Sequence, residues 1–362
     1  MSHIIKVTKT DAALPLGWRR APSPVSVLLA CGWLTVNDAA HSALRIESIA
    51  SSHALFRVTA PDGRCVVVKQ LPREAAERDR SLRQECFIYR LAAWMPEIAA
   101  LAPTPVFLDE SRQVVVVESL AVGPRWPDPE DAAPISLPGI AHDLGRALAR
   151  LHRATADMGM WPSPAVGVLG LSADVDEACR GRAPAARALM QAIVADLMLR
   201  GTLDEGLNTY QPRCVIHGDL RPENWLRDRR AGALGIRLFD WEIAGSGDPL
   251  WDLGSLVAEA SIDTVRRGIA HGTPWPAASR PIIADALRAY IAHNGLLDAE
   301  NDGAWRKLAC LAAARLLHVA TECAEQGVEH NQWPVRLFVD SARAIASDPA
   351  LAGAQLRQWG DV

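Results

Sequence analysis

The stretch Val215-Ile-His-Gly-Asp-Leu-Arg-Pro-Glu-Asn-Trp-Leu226 decides the interpretation of this chain, together with Leu238-Phe-Asp-Trp-Glu242 a short spacer later. Apolar segments flank a polar loop and place Asp219, Asn224 and Asp240 on one strand–loop–strand unit. An acid, an amide five residues on and a second acid at a strand end form the layout of phosphoryl-transfer enzymes. The alternative is a turn between two buried strands whose acids are merely solvated.

The chemistry explains why these residue types occur at this spacing. Asp219 is placed to accept or orient the proton of an attacking hydroxyl. Asn224 returns from the same loop to hold a metal ion, and Asp240 holds the metal that bridges the nucleotide phosphates. The pattern therefore predicts a phosphotransferase.

Composition limits the other classes of function. The chain has 362 residues, enough for two lobes, and its formal net charge of -4 argues against a nucleic-acid partner. The seven cysteines show no paired spacing, which favours reduced thiols in the cytoplasm. We expect no signal peptide, because the start lacks an apolar segment. We also expect no membrane span, because the runs 25–34 and 308–320 are interpreted as core helices. The oligomeric state stays open.

The pattern of apolar residues predicts an α+β chain with a strand-rich part before a helical part. We expect strands over 44–50, 54–60, 65–70, 106–109 and 113–118, a hairpin turn at 61–64 and a helix over 74–94. Further helices are expected over 140–158, 174–200, 251–260, 281–293, 304–326 and 334–346. The predicted domains are an N-terminal extension (1–43), an N-lobe (44–122) and a helical C-lobe (123–362) that carries the catalytic loop 215–226 and the metal motif 238–242.

Lys69 lies near the end of an apolar strand, where its point charge suits the phosphates of a nucleotide. The alternative is an ordinary exposed strand lysine. Among the acids of the following helix, Glu85 is the expected partner, because it lies in the periodic core part of that helix. Glu74 and Glu77 resemble first-turn acids that favour the helix dipole.

Two further segments are expected to contact the nucleotide. The loop after the first strand has no glycine, but its backbone amides and the hydroxyls of Ser51 and Ser52 could contact phosphate oxygens. The carbonyl of Glu118 and the amide of Leu120, at the end of the fifth strand, would recognise adenine between apolar walls.

Several motifs together resemble the aminoglycoside phosphotransferase and choline kinase-like family. They occur in the right order between residues 44 and about 260: Lys69, Glu85-Cys-Phe-Ile-Tyr-Arg-Leu91, Leu144-Gly-Arg-Ala-Leu-Ala-Arg-Leu-His152, His217-Gly-Asp-Leu-Arg-Pro-Glu-Asn224, Asp240-Trp-Glu242 and Gly247-Asp-Pro-Leu-Trp-Asp-Leu-Gly254. The resemblance implies a bilobal protein-kinase-like fold with a small antiparallel sheet and a larger helical lobe. It also implies an ATP donor, magnesium (Mg2+) and transfer to a hydroxyl acceptor.

The resemblance assigns roles to three more residues and leaves alternatives open for each. Asp252 would brace the catalytic loop, or it is only an acid at a helix start. Arg221 would stabilise the transferring phosphate as a catalytic residue, or it forms a structural ion pair with Glu223 or has a solvated side chain. Glu242 would reach a second metal, or it accepts local hydrogen bonds.

Three hypotheses remain for the acceptor. The chain phosphorylates a small-molecule hydroxyl, or it phosphorylates serine or threonine in a precursor peptide of a modified natural product, or it is a catalytically dead binding module. The retained set of Lys69, Glu85, Asp219, Asn224 and Asp240 disfavours the third. A cationic acceptor could be met by the acids Glu259, Asp263, Glu322, Glu325 and Glu329, although a solvated helical face is the better interpretation of the last three.

Overall fold

A computed structural model describes residues 7–8, 23–48, 54–70, 81–110, 113–119, 137–227, 235–271, 279–293 and 295–360. The chain forms two units, one of Met1–Val122 with Arg237–Glu242 and one of Gly123–Ile236 with Ile243–Val362. Across the described residues, no helix has the length and apolar character needed to cross a membrane.

The first unit is built on a six-stranded sheet in the order β1-β2-β3-β4-β6-β5. Its strands are β1 (Val7–Thr8), β2 (Arg45–Ser48), β3 (Ala54–Thr59), β4 (Cys65–Gln70), β5 (Pro105–Asp109) and β6 (Val114–Glu118). β1 runs parallel to β2, and the other neighbouring strands are antiparallel. The five predicted strands are confirmed within a few residues. In the predicted hairpin turn, the Ala60 N–H donates to the Arg64 carbonyl at 2.8 Å.

The first unit also contains four helices among its described residues. They are α1 (Pro24–Ala30), α2 (Val36–Ala40), α3 (Ser81–Leu91) and α4 (Pro96–Leu101). α1 begins where the Ser23 hydroxyl accepts the Ser26 N–H at 3.1 Å and Pro24 provides a helical φ. α3 is the described part of the predicted helix 74–94, since residues 71–80 lie outside the described ranges. α4 was not predicted.

The core of the first unit includes residues that precede the predicted N-lobe. Val27 and Leu28 of α1 and Leu34 pack in one cluster with sheet residues, namely Leu44, Ile46, Val58, Val66, Val68, Val114 and Val116. Leu28 is fully buried there. The described residues 23–34 of the expected extension thus contribute apolar surface to the sheet.

The second unit is mainly helical. Its helices are α5 (Leu137–Ala154), α6 (Val175–Ala178), α7 (Pro184–Ala195), α8 (Leu197–Thr209), α9 (Pro249–His271), α10 (Arg280–Ala292), α11 (Asp302–Glu325), α12 (Val335–Ser347) and α13 (Pro349–Gly360). Short 3₁₀ segments are Pro164–Gly170, Pro222–Asn224 and Trp241–Ile243, the last of which crosses the boundary between the units. The remaining strands are β7 (Cys214–Ile216), β8 (Trp225–Arg227), β9 (Ile236–Leu238) and β10 (Gly245–Gly247).

α11 is the central helix of the second unit. It contacts α7, α8, α9, α12 and α13, and all residues of its run 308–320 except His318 and Val319 are buried, as predicted for a core helix. Of the predicted helices of this region, 174–200 is divided into α6, α7 and α8, the last of which ends at Thr209, and the others are confirmed with shifted ends, whereas α13 was not predicted. Arg315 lies inside the buried run, and this position becomes important at the site.

We expect Leu28→Ala to lower the free energy of unfolding by about 2–5 kcal/mol, because it opens a cavity in a packed core. Leu197→Ala is the matched control, since Leu197 is 72% exposed and should change stability by less than about 0.5 kcal/mol. Denaturant unfolding followed by circular dichroism measures both. Equal effects of the two substitutions would show that α1 is not part of the core.

Candidate active site

The catalytic loop predicted at 215–226 follows a short strand of the second unit. β7 pairs antiparallel with β10, with Ile216 opposite Gly245. After β7 the chain turns at Gly218, whose φ of 88° lies in the left-handed region that glycine adopts without a Cβ clash. The loop then enters the 3₁₀ turn at Pro222, which places Asn224 at its end.

Asp252, in the first turn of α9, holds this loop through its backbone. Its Oδ2 accepts the His217 N–H at 2.8 Å, and its Oδ1 accepts the Gly218 N–H at 2.9 Å. The neighbouring Trp251 donates its indole N–H to the Gly218 carbonyl at 2.9 Å. Both interpretations of Asp252 therefore hold, because it is a first-turn acid and it also braces the loop.

A buried histidine and tyrosine stand behind Asp252. The Leu296 N–H donates to the Tyr290 hydroxyl at 3.1 Å, so this hydroxyl can donate its own proton to His152 Nδ1 at 2.9 Å. His152 Nε2–H then faces Asp252 Oδ2 at 3.2 Å. α5 and α10 approach closely, because a Cβ on Gly145 would lie 2.2 Å from the Ala286 carbonyl. The close packing brings His152 and Tyr290 within hydrogen-bond distance.

Asp219 is held by three side chains of the second unit. Its Oδ1 accepts Arg221 Nε at 3.0 Å and Arg315 Nη2 at 2.8 Å, and its Oδ2 accepts Asn224 Nδ2 at 3.0 Å. Burial raises the pKa of Asp219, but the charges of Arg315 and Arg221 outweigh burial and hold that pKa at about 2. Asp219 is therefore a carboxylate at neutral pH and a weak base.

Arg221 has a different partner from the one that the sequence suggested. Its Nη2 donates to both carboxylate oxygens of Glu322 on α11, at 2.7 and 2.5 Å, while Glu223 is exposed. Burial raises the pKa of Glu322, and the hydrogen bond from His318 and the charge of Arg221 lower it to about 2. These contacts place Arg221 as a support of Asp219.

Arg315 is a site residue that the sequence interpretation did not include, and Glu259, which was considered there only as an acid for a cationic acceptor, is its partner. Arg315 is 1% exposed on α11, and the same Nη2 that contacts Asp219 lies 3.5 Å from Glu259 Oε1 on α9. Burial raises the pKa of Glu259 to about 7, although the charges of Arg315 and Arg221 oppose that rise. A single arginine inside an otherwise apolar 10-residue run, 308–317, was the signal that could have identified this position.

Lys69 is surrounded by carboxylates of the first unit. Its Nζ donates to Glu85 Oε2 at 2.8 Å, to Glu242 Oε2 at 3.0 Å and to Asp240 Oδ1. The Tyr89 hydroxyl, one helical turn after Glu85, donates to Glu85 Oε1 at 3.0 Å. Burial lowers the pKa of Lys69, but the three carboxylates reverse that effect and raise it. Lys69 is therefore a permanent cation.

The backbone at Asp240 is held in an unusual conformation. Its φ of 62° lies in the left-handed region, which a non-glycine residue adopts at a cost of about 1 kcal/mol or more. Arg237, three residues earlier, donates to the Ala99 carbonyl at 2.8 Å and to the Ala102 carbonyl at 2.9 Å at the end of α4. Trp241 donates its indole N–H to the Leu238 carbonyl at 2.9 Å. These bonds hold the motif on both sides of Asp240.

The structure describes only part of the predicted nucleotide contacts. Glu118 ends β6 opposite Val66 of β4 and has an exposed side chain, which fits a role for its backbone rather than its carboxylate. Ser51, Ser52 and Leu120 lie outside the described residues, so their roles stay predictions.

Comparison with known proteins identifies the family. A family model described as the phosphotransferase enzyme family matches residues 43–282, more than half of the chain, and the chain belongs to this family. The resemblance stated from the sequence is thus confirmed. No curated protein matches the chain significantly.

Two solved structures with TM-scores of 0.58 and 0.50 share the fold of this chain. An ethanolamine kinase from Plasmodium vivax aligns at 13% identity over 89% of this chain and 87% of its own, with a TM-score of 0.58. A choline/ethanolamine kinase family protein from Mesorhizobium loti aligns at 16% identity over 86% and 92%, with a TM-score of 0.50. A macrolide 2'-phosphotransferase from Brachybacterium faecium aligns at 21% identity over 90% and 98%, with a TM-score of 0.48. The predicted α+β, protein-kinase-like fold class is confirmed.

We expect Glu259 to make the protein less stable as pH rises from about 4.5 to about 7. Its pKa is raised to about 7 in the folded chain, so the folded state binds more protons than the unfolded state in this window. The contribution to the free energy of unfolding reaches on the order of 3 kcal/mol and is constant above this window. Denaturant unfolding at pH 5 and pH 8 should show a smaller pH effect in Glu259→Gln than in the wild type. An equal pH effect in both proteins would contradict the assignment.

Proposed function

We propose that this phosphotransferase transfers the γ-phosphate of ATP, with magnesium (Mg2+), to a hydroxyl of a small molecule. The observation that carries the proposal is the state of Asp219. One of its carboxylate oxygens is bound by two arginines, whereas Oδ2 accepts one hydrogen bond from Asn224 and retains a lone pair. This lone pair is suited to orient an acceptor hydroxyl.

The residues of the first unit suit the donor nucleotide. Lys69 would bind the phosphates as a fixed cation, and Glu85, itself held by Tyr89, would keep Lys69 in place. The backbone of Glu118 and Leu120 would bind adenine, and Ser51 and Ser52 would contact phosphate oxygens. In this proposal residues 44–122 bind the nucleotide and residues 123–362 supply the acceptor side.

The donor set fits a magnesium ion. Asp240 offers a carboxylate and Asn224 an amide oxygen, because the Asn224 nitrogen is occupied by the carbonyl and the carboxylate of Asp219. Glu242 accepts a hydrogen bond from Lys69 Nζ. Its carboxylate would supply a further oxygen ligand if a second ion binds. When bound, the ion neutralises charge on the transferring phosphate.

Asp219 acts in this proposal by orientation more than by basicity. A carboxylate with a pKa of about 2 does not deprotonate an alcohol before reaction, but it fixes the direction of the hydroxyl. In a loose phosphoryl-transfer transition state the proton leaves late, once the new oxygen–phosphorus bond forms. Arg221 supports Asp219 and is less suited to reach the phosphate, because Glu322 binds it with both oxygens.

A small-molecule acceptor fits the chain better than a protein. Only residues 241–248 separate Asp240 from the start of α9 at Pro249, so a long activation segment that docks protein substrates has no room. A precursor-peptide acceptor is the alternative. We also place the enzyme in the cytoplasm, where ATP is supplied and where its seven free thiols remain reduced.

We expect Lys69→Ala to weaken binding of a non-hydrolysable ATP analogue by roughly 10-fold or more, because the phosphates lose a buried cation. Isothermal titration calorimetry with magnesium measures the affinity. Arg64→Ala is the control and should bind as the wild type does, because Arg64 lies in the turn before β4, is half exposed and pairs with Asp62. Unchanged affinity in folded Lys69→Ala would remove Lys69 from the site.

We expect Asp219→Asn and Asp240→Asn to fail in different ways. Asp219→Asn should keep magnesium-dependent binding of the ATP analogue while turnover falls ~10²–10⁴-fold, as for loss of a general base or its orienting group. Asp240→Asn should lose the magnesium dependence of binding, because it removes a charged oxygen ligand. A magnesium titration of analogue affinity distinguishes them, with circular dichroism to confirm folding. The reverse pattern would exchange the two roles, and no metal-dependent binding in the wild type would favour the dead-module alternative.

A further inference from the structure

Arg315 places a charged guanidinium in a buried position, which is energetically unfavourable. It is 1% exposed in the middle of the central helix α11, surrounded by apolar residues of the run 308–320. Removing a guanidinium from water costs several kcal/mol unless its N–H groups find partners. Here Nη2 finds Asp219 and Glu259, while Nε has no partner among the described residues, which adds to the cost of burial. Such a residue is a poor choice for stability alone.

The contact with Asp219 determines how that carboxylate can act. A carboxylate has about four lone-pair positions, two on each oxygen. Arg315 and Arg221 take both positions on Oδ1, and Asn224 takes one on Oδ2. The remaining position is on Oδ2, so the two arginines decide which oxygen meets the acceptor.

The two arginines are not equivalent supports. Arg221 belongs to the catalytic loop itself and is 29% exposed. Arg315 belongs to a core helix, and its Nη2 also lies 3.5 Å from Glu259, two helical turns after Asp252 on α9. Arg315 therefore connects the carboxylate of Asp219 to α9 and α11, the two helices that also support the loop.

We propose that Arg315 is a positioning residue for phosphoryl transfer, which acts through Asp219 by holding Oδ1 so that Oδ2 faces the acceptor hydroxyl. Glu259, which contacts the same Nη2, helps to keep the guanidinium in place. The inference rests on the proposed function, because it concerns the orientation of the acceptor. It also implies that Arg315, which has no access to solvent, does not bind the acceptor itself.

The test compares Arg315→Met with the wild type in magnesium-dependent hydrolysis of γ-labelled ATP, with water as the acceptor. Release of labelled phosphate, followed over hours, gives kcat and the KM for ATP. We expect kcat to fall about 10–100-fold while the KM changes less than about twofold, because a displaced reacting group impairs turnover rather than nucleotide binding. Arg315→Lys keeps the charge with a shorter reach and should restore part of the lost kcat.

Arg306→Met is the matched control, because Arg306 lies on the same helix, is 49% exposed and pairs with Glu205. It should keep the wild-type kcat. In an Asp219→Asn background, Arg315→Met should lower kcat less than twofold further, since its effect passes through the missing carboxylate. A further tenfold loss in that background would overturn the proposal in favour of a general packing role.

A folded Arg315→Met variant with kcat within twofold of the wild type would overturn the proposal. If Arg315→Met does not fold, Arg315→Lys and Glu259→Gln decide in its place, and wild-type kcat in both would overturn it. A wild type that binds and hydrolyses no ATP overturns the proposed function and, with it, this inference. Normal wild-type hydrolysis with an unaffected variant overturns the inference alone.

Discussion

The buried carboxylate of Asp252 is the interaction on which the catalytic loop depends. A carboxylate away from water is unfavourable unless its lone pairs are satisfied, and here the amides of His217 and Gly218 and the ring of His152 satisfy them. Because these amides belong to the loop, the position of the loop depends on the position of the Asp252 carboxylate. The helix α9 thereby fixes the backbone from which Asp219 and Asn224 extend.

In both units, the cationic side chains of the site contact acidic side chains. In the second unit the order is Glu322, Arg221, Asp219, Arg315 and Glu259, so that every cation lies between two acids. In the first unit, Lys69 lies among three acids, so one positive charge faces three carboxyl groups. In both sets the acids outnumber the cations, by two in the first unit and by one in the second. In the proposed function, the larger excess of acid, at Asp240, would suit the positive charge of a metal ion.

The features that depend on local sequence patterns could be predicted from the sequence. The strands, the hairpin at 61–64, the core helices and the fold class follow from periodicity and turn residues, and Lys69 does contact Glu85. Arg315, Glu259 and Tyr290 could not be placed, because helix periodicity does not reveal which faces of distant helices meet. The Arg221 contact illustrates the same limit, since Glu322 is 101 residues away and Glu223 is only two.

Amide hydrogen exchange in Asp252→Asn tests most directly whether one buried carboxylate holds the catalytic loop. Nuclear magnetic resonance compares the His217 and Gly218 amides with the Leu311 amide in the core of α11. We predict exchange at least about 10-fold faster at His217 and Gly218, because each loses a charged acceptor worth about 1.5–3 kcal/mol, with Leu311 unchanged. Wild-type protection of the His217 and Gly218 amides in folded Asp252→Asn would contradict the account.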